Sequence, residues 1–178
     1  ETQTTSLEVD AADLEIDHNY FAGGYYALFS YNDPPIGSGL RAHHNVFVGQ
    51  TPPGLLGQFQ SQLDQLLFVN NTVEVTTSNS AAPLFDFISG GEGHAYRNNV
   101  FFSADGSATN PAGLPSTAVV TNNVFYGVDA GPHAPGNLLV DPELALGGAV
   151  PEQYYQPVPG SPVIGAGVEG AGVTGEAP

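Results

Sequence analysis

Leu40-Arg41-Ala42-His43-His44-Asn45-Val46-Phe47 is one octapeptide of a series. The same arrangement returns at Leu14–Phe21, Leu66–Val73, His94–Phe101 and Ala118–Phe125. Aligned on Asn19, Asn45, Asn71, Asn99 and Asn123, the copies are spaced by 26, 26, 28 and 24 residues. Self-similarity at such a period is the mark of a stacked array, in which each repeat buries its apolar face against the next.

The columns of the alignment say what one repeat is. Three positions before the asparagine stand Ile16, Ala42, Phe68, Tyr96 and Val120, and five before it stand Leu14, Leu40, Leu66, His94 and Ala118. Between these mainly apolar columns lie Glu15, Arg41, Leu67, Ala95 and Val119, then Asp17, His43, Val69, Arg97 and Thr121. A period of two with one apolar phase predicts a strand with one buried face. Two positions after the asparagine come Phe21, Phe47, Val73, Phe101 and Phe125, which are core residues on the opposite phase. The chain must therefore bend, and the asparagine is the expected pivot, since it tolerates the left-handed region and its amide can pair with rungs above and below.

A looser echo follows three of the stretches, with Leu28, Leu56 and Leu84 each 28 residues apart. It adds a third strand to the coil. The expected fold is all-β: a right-handed parallel β-helix of about five to six coils of about 26 residues each. The coils occupy residues 1–130, and residues 131–178 form a closing segment and an extended tail. Twenty-three glycines and 15 prolines suit the many tight turns this requires. Gly- and Pro-rich loops at Asn32–Gly39 and Asp105–Pro111 would gather on one face of the solenoid, often the binding face.

Charge and composition narrow the partners. Eighteen acidic residues face only Arg41 and Arg97, for a net charge of −16. Nothing in the chain can neutralise phosphates, so nucleic acid is excluded as an expected partner. Anionic polysaccharide is repelled unless cations bridge it. No stretch reaches the roughly 18 apolar residues of a membrane span. Cysteine, methionine, tryptophan and lysine are absent, a composition that suits a secreted or cell-surface β-protein. The strand-like Ser6–Asp10 has no amphipathic helix before it, so the first coil is expected to be covered by another protein chain or by further coils, since open rungs expose strand edges.

The repeated Asn-Asn-Val-Phe and His-Asn-Val-Phe stretches resemble those of bacterial right-handed parallel β-helix proteins of the pectate-lyase-like superfamily. Leu139-Val140-Asp141-Pro142-Glu143-Leu144, with Gly160-Ser161-Pro162-Val163-Ile164-Gly165-Ala166-Gly167, resembles the closing segment of secreted members, although Gly165 stands where Asp is usual. The resemblance spans residues 14–168 and concerns structural motifs. It implies polysaccharide as ligand or substrate. The absence of lysine removes the Lys–Arg pair of alginate-lyase-like members.

The column register selects the candidate site. With successive rungs about 4.8 Å apart, Asp17 falls beside His43 and Glu15 beside Arg41, with Arg97 further along the His43 column. His43 as base, Arg41 as charge stabiliser, and Asp17 and Arg97 as flanking groups would suit proton abstraction next to an acidic sugar carbon. The plain alternative is a pair of surface ion contacts, each worth under about 1 kcal/mol. Glu15 and Asp17, with Asp10 and Asp13, could supply oxygens to Ca2+. His18 and His44 stand where Asn70, Asn98 and Asn122 occur in the other copies, which points to a turn role. A non-catalytic adhesive or structural solenoid is the alternative to a polysaccharide-acting protein.

Overall fold

The computed structural model describes residues 5–9, 12–30, 37–49, 55–75, 83–104, 106, 110–148 and 153–168. The loop residues 31–36, 105 and 107–109, together with Asp10 and the tail beyond 168, lie outside the described residues.

The chain runs in rungs. A first strand, β1 (Thr5–Glu8), precedes rung one, which holds β2 (Glu15–Asp17), β3 (Tyr20–Ala22) and β4 (Tyr26–Ser30). Rung two holds β5 (Gly37–Ser38), β6 (Arg41–His43), β7 (Val46–Val48) and β8 (Leu55–Phe59). Rung three holds β9 (Leu63–Asp64), β10 (Leu67–Val69), β11 (Thr72–Glu74) and β12 (Phe85–Phe87). Rung four holds β13 (Ala95–Arg97), β14 (Val100–Phe102) and β15 (Asn110–Pro111), and rung five β16 (Val119–Thr121), β17 (Val124–Tyr126) and β18 (Val128–Asp129).

Like strands of successive rungs pair in parallel. Three sheets result, in the orders β2-β6-β10-β13-β16, β3-β7-β11-β14-β17 and β1-β4-β8-β12. The protein is a parallel β-solenoid. All three sheets are present together only in rungs one to three, so it has about three complete coils rather than five to six. The echo at Leu28, Leu56 and Leu84, read as a third strand in every coil, recurs in three only, and its register is shifted by one: Leu28 stands opposite Gly57, and Gly57 opposite Phe85. On that face in rung four the chain brings Pro111, which has no N–H to give a ladder. Its carbonyl still accepts the Leu84 N–H at 2.9 Å, so the wall continues without a regular strand.

The inward columns make the core. Ala42, Phe68 and Tyr96 are fully buried, with Ile16 and Val120 nearly so, and Phe47, Phe101 and Phe125 stack behind them. Phe21 lies on Phe47 at 4.9 Å and Phe101 on Phe125 at 5.1 Å, ring over ring. Deleting one such ring costs about 3–5 kcal/mol.

The bend lies one residue earlier than expected. His18, His44, Asn70, Asn98 and Asn122 carry φ of 52°, 54°, 55°, 56° and 56°, in the left-handed region that Asn and His enter more readily than most residues. That one extra outward residue switches the inward phase. It frees the ladder asparagine to turn its side chain into the wall. The Oδ1 of Asn45 accepts the Asn19 N–H at 2.9 Å and Asn19 Nδ2 at 3.1 Å, while its own Nδ2 donates to Asn71 Oδ1 at 3.1 Å and the Ile16 carbonyl at 2.8 Å. Asn71, Asn99 and Asn123 repeat this. Asn137, only 14 residues past Asn123, closes the series by accepting from Asn123 N–H and Nδ2 at 2.8 and 2.9 Å.

Past rung five the chain makes a short 3-10 turn, Gly131–His133, and folds back along the outside. The Tyr155 hydroxyl donates to Glu74 Oε2 at 2.6 Å, and its ring lies 6.1 Å from Phe102. Burial first, then that carboxylate, pushes the Tyr155 hydroxyl far above the usual phenol range. Asn98 pairs with the backbone of Val168 through both ends of its amide, at 2.9 and 3.1 Å. No helix among the described residues is long and apolar enough to cross a membrane.

Candidate functional site

The expected column register is present: Glu15 stands opposite Arg41, Ile16 opposite Ala42 and Asp17 opposite His43. Val69 separates His43 from Arg97, which places Arg97 two rungs away, roughly 10 Å along the sheet. The structure thus gathers Glu15, Asp17, Arg41 and His43 on rungs one and two and leaves Arg97 apart.

The side chains pair differently from the backbone. His43 is 3 % exposed, although its column faces outward. Its Nε2 lies 2.8 Å from Glu15 Oε1, diagonal to its register partner, and its Nδ1 lies 3.0 Å from His44 Nδ1. Asp17 contacts neighbouring His18 instead, Oδ2 to Nδ1, at 3.1 Å. The Glu15 carboxylate that faces Arg41 in the register is therefore engaged by His43.

The contacts fix a direction of hydrogen bonding. Asn70 Nδ2 can only donate, and it lies 3.0 Å from His44 Nε2. His44 Nε2 is then the acceptor, so its proton sits on Nδ1 and is given to His43 Nδ1. His43 consequently carries its proton on Nε2 and gives it to Glu15. The chain Asn70 → His44 → His43 → Glu15 gives each imidazole nitrogen of His43 and His44 a partner.

His18 stands outside this chain. Its ring stacks on that of His44, with centroids 5.0 Å apart and planes 12° from parallel. Nδ1 is held by Asp17, and the side chain is 68 % exposed, which leaves Nε2 turned to solvent. The His18 hydrogen bond, foremost, lowers the Asp17 carboxyl below its ordinary 3.8, and the more distant His43 and His44 act in the same direction. A carboxylate that orients an imidazole whose other nitrogen is open is the arrangement of a general base or acid. The sequence assigned the base to His43 because the column parity placed it outward. His18 and His44 occupy the same αL position, so the sequence held no signal that told the exposed imidazole from the engaged one.

Glu15 and Asp17 also line an open concavity of ≈ 580 Å3 with Leu7, Glu8, Leu14, Ile16 and Asn19. Among the described residues no group of three or more His, Asp or Glu is gathered as a metal site. A second concavity, ≈ 540 Å3, is lined by Gln62, Asp64, Gln65, Ser89, Gly91, Glu92 and Gly93. Behind it His94, 1 % exposed, accepts the Leu66 N–H on Nδ1 at 3.2 Å. Burial lowers the His94 imidazole below its ordinary 6.5, against the opposing charge of Asp64.

No protein-family description, curated protein or solved structure matches the chain.

Proposed function

We propose that the chain is a secreted polysaccharide-contacting β-solenoid, related in kind to the pectate-lyase-like proteins its repeats resemble. Its working surface is the outer strip of rungs one and two. The observation that carries this reading is the exposed Asp17–His18 pair, its imidazole stacked on His44, on the rungs where Arg41 stands opposite Glu15. Carboxylate, imidazole and guanidinium groups on a flat parallel sheet offer donors and acceptors at about 4.8 Å intervals for sugar hydroxyls, and half-exposed Tyr20 adds an aromatic face. With a net charge of −16 the favoured ligand is a polysaccharide of low charge, or an anionic one bridged by Ca2+ at Glu15 and Asp17. Where the strip also transfers protons, His18 is the acting group in place of His43, with Arg41 on the next rung. Arg97 would serve as a more distant contact along the strip.

The test is a panel of neutral and anionic polysaccharides, with and without Ca2+, scored for retention in affinity gels and for unsaturated products. Retention by at least one polysaccharide, weakened about tenfold or more by His18→Ala or Arg41→Ala, supports the reading. Absence of retention and of product across the panel sinks it.

A second reading, a non-catalytic structural or adhesive module, is favoured by a separate observation. Both nitrogens of His43 and of His44 are engaged internally, which makes those imidazoles part of the wall.

A further inference from the structure

His94 breaks its column. Leu14, Leu40 and Leu66 hold the same place in the three rungs before it, and an imidazole replaces them at the corner where rung four begins. The ring is buried against Phe87, with centroids 4.7 Å apart.

The hydrogen bonds of this ring suit one protonation state. Nδ1 accepts the Leu66 N–H at 3.2 Å. A backbone N–H only donates, so Nδ1 is bare and the proton of the neutral ring sits on Nε2. Nε2 is buried beside the Gly91 backbone, which favours its proton without reaching hydrogen-bond geometry. A second proton must go to Nδ1, where it would face the Leu66 N–H, donor against donor. The imidazolium therefore loses the one bond that the ring makes and leaves its N–H groups buried without an acceptor.

Space and charge set the way out. Gly91 lines the ≈ 540 Å3 concavity, and a Cβ there would lie 3.0 Å from His94 Nε2, so bare backbone stands between the ring and that concavity. Gly90, Gly91 and Gly93 carry φ of 74°, 152° and 74°, where glycine moves without a side chain to repack. Asp64 of β9 and Glu92 of the same glycine loop line the concavity. Asp64 is held in place there by Gln62 Nε2 and by the Glu92 N–H at 2.9 Å. The column neighbours Leu66 and Ala118, and Phe87 beside the ring, carry no charge.

We propose that His94 is an acid-sensitive latch on the corner between rungs three and four. Below the ordinary imidazole range the ring takes a second proton, releases the Leu66 N–H and swings past Gly91 to the carboxylates of Asp64 and Glu92, while the rungs stay stacked. Burial depresses the basicity of the closed ring, although Asp64 opposes it, so the open form binds the proton more readily. The open fraction is lowest above the ordinary 6.5 and rises about tenfold for each pH unit below it, until the closed ring is protonated too. This inference is independent of the polysaccharide reading, since it uses an interior corner and not the outer strip.

Amide hydrogen exchange on the full chain, corrected for the intrinsic effect of pH, reads the latch at its own bond. Between about pH 6.5 and about pH 5, protection of the Leu66 N–H should fall about tenfold or more. The Gln65 N–H, which bonds the Glu92 carbonyl, should follow it, whereas the Leu67 N–H, bonded to the Leu40 carbonyl, should keep its protection. His94→Gln, and His94→Leu, which restores the residue of the neighbouring rungs, should both abolish this pH dependence. Protection of the Leu66 N–H unchanged down to about pH 5, an equal loss at Leu67, or the same pH dependence in whichever of the two variants folds overturns the proposal.

Discussion

Asn123 and Asn19 are the same residue in the same motif, at opposite ends of one ladder. After Asn123 the chain adds a shortened step, and Asn137 supplies the carboxamide oxygen that Asn123 needs. Asn137 Nδ2 then turns inward to the carbonyls of Val120 and His133. The ladder ends there with its last carboxamide bonded within the chain. At Asn19 the Nδ2 reaches forward to Asn45 and sideways to the Asp17 carbonyl. The difference shows that a ladder asparagine stabilises only as far as its neighbours complete it. Among the described residues the last carboxamide of the series is completed by its own chain, and the first is met only from rung two.

The contrast can be broken most forcefully from the middle. Asn71→Ala removes the acceptor of two buried donors, the Asn45 N–H and Nδ2, and the donor to Ala42 and Asn99. Two unsatisfied buried donors at about 1–3 kcal/mol each predict a loss of about 2–6 kcal/mol, read as a lowered urea midpoint. A shift under about 0.5 kcal/mol would mean that the ladder is decoration and that the ring stacks alone hold the rungs.

Asn137→Ala attacks the closed end. Asn123 keeps the Tyr96 and Thr121 carbonyls for its Nδ2, so mainly its N–H is orphaned, in a part-buried setting. The expected loss is about 1–2 kcal/mol in the same denaturation experiment. Faster hydrogen exchange should be confined to rung five and residues 131–140.

These expectations also show what the sequence could and could not disclose. The rungs were legible because Ile16, Ala42, Phe68, Tyr96 and Val120 repeat a burial pattern every 24 to 28 residues, and local alternation determines strand and face. The number of complete coils was overestimated, because the asparagine motif recurs five times while a regular third strand follows it only in rungs one to three. Asn137 was hidden by its 14-residue step, too short for the period. The burial of His43 was hidden because it depends on side chains, His44 and Glu15, and not on column parity. The fold-back of the closing segment was hidden because it depends on contacts 70 and 81 residues apart, Asn98 with Val168 and Glu74 with Tyr155. Sequence columns report the neighbour one rung away and are silent on a strand that crosses several rungs from outside.

His94 tests an interior position where neither end matters. Its folded-state basicity is depressed by burial, so the unfolded chain binds the proton more readily. The stability this contributes is fully present above the ordinary 6.5 and declines as pH falls from there toward the lower folded value. Urea midpoints measured on both sides of 6.5 should therefore drop on the acid side, and His94→Gln should flatten that part of the profile. An unchanged slope in His94→Gln would place the acid sensitivity on the other histidines. The change is expected to be smaller than that of either ladder substitution, because a single imidazole is involved instead of several buried bonds.

The smallest stability effect is expected at the first carboxamide of the series, and there its smallness is the informative result. Asn19→Ala leaves the backbone bond from Asn19 N–H to Asn45 Oδ1 in place and removes one exposed and one part-buried side-chain bond. Water replaces those partners at little cost, so the urea midpoint should move by less than about 0.5 kcal/mol. The same substitution at Asn71 is expected to cost several times more, although motif and residue are identical. If Asn19→Ala instead destabilises as much as Asn71→Ala, the first carboxamide is already completed by chain outside the described residues. The difference between the first and last carboxamides of the series would then disappear. A near-zero shift for Asn19→Ala beside a large one for Asn71→Ala would show that the same carboxamide stabilises only where a rung lies on each side of it.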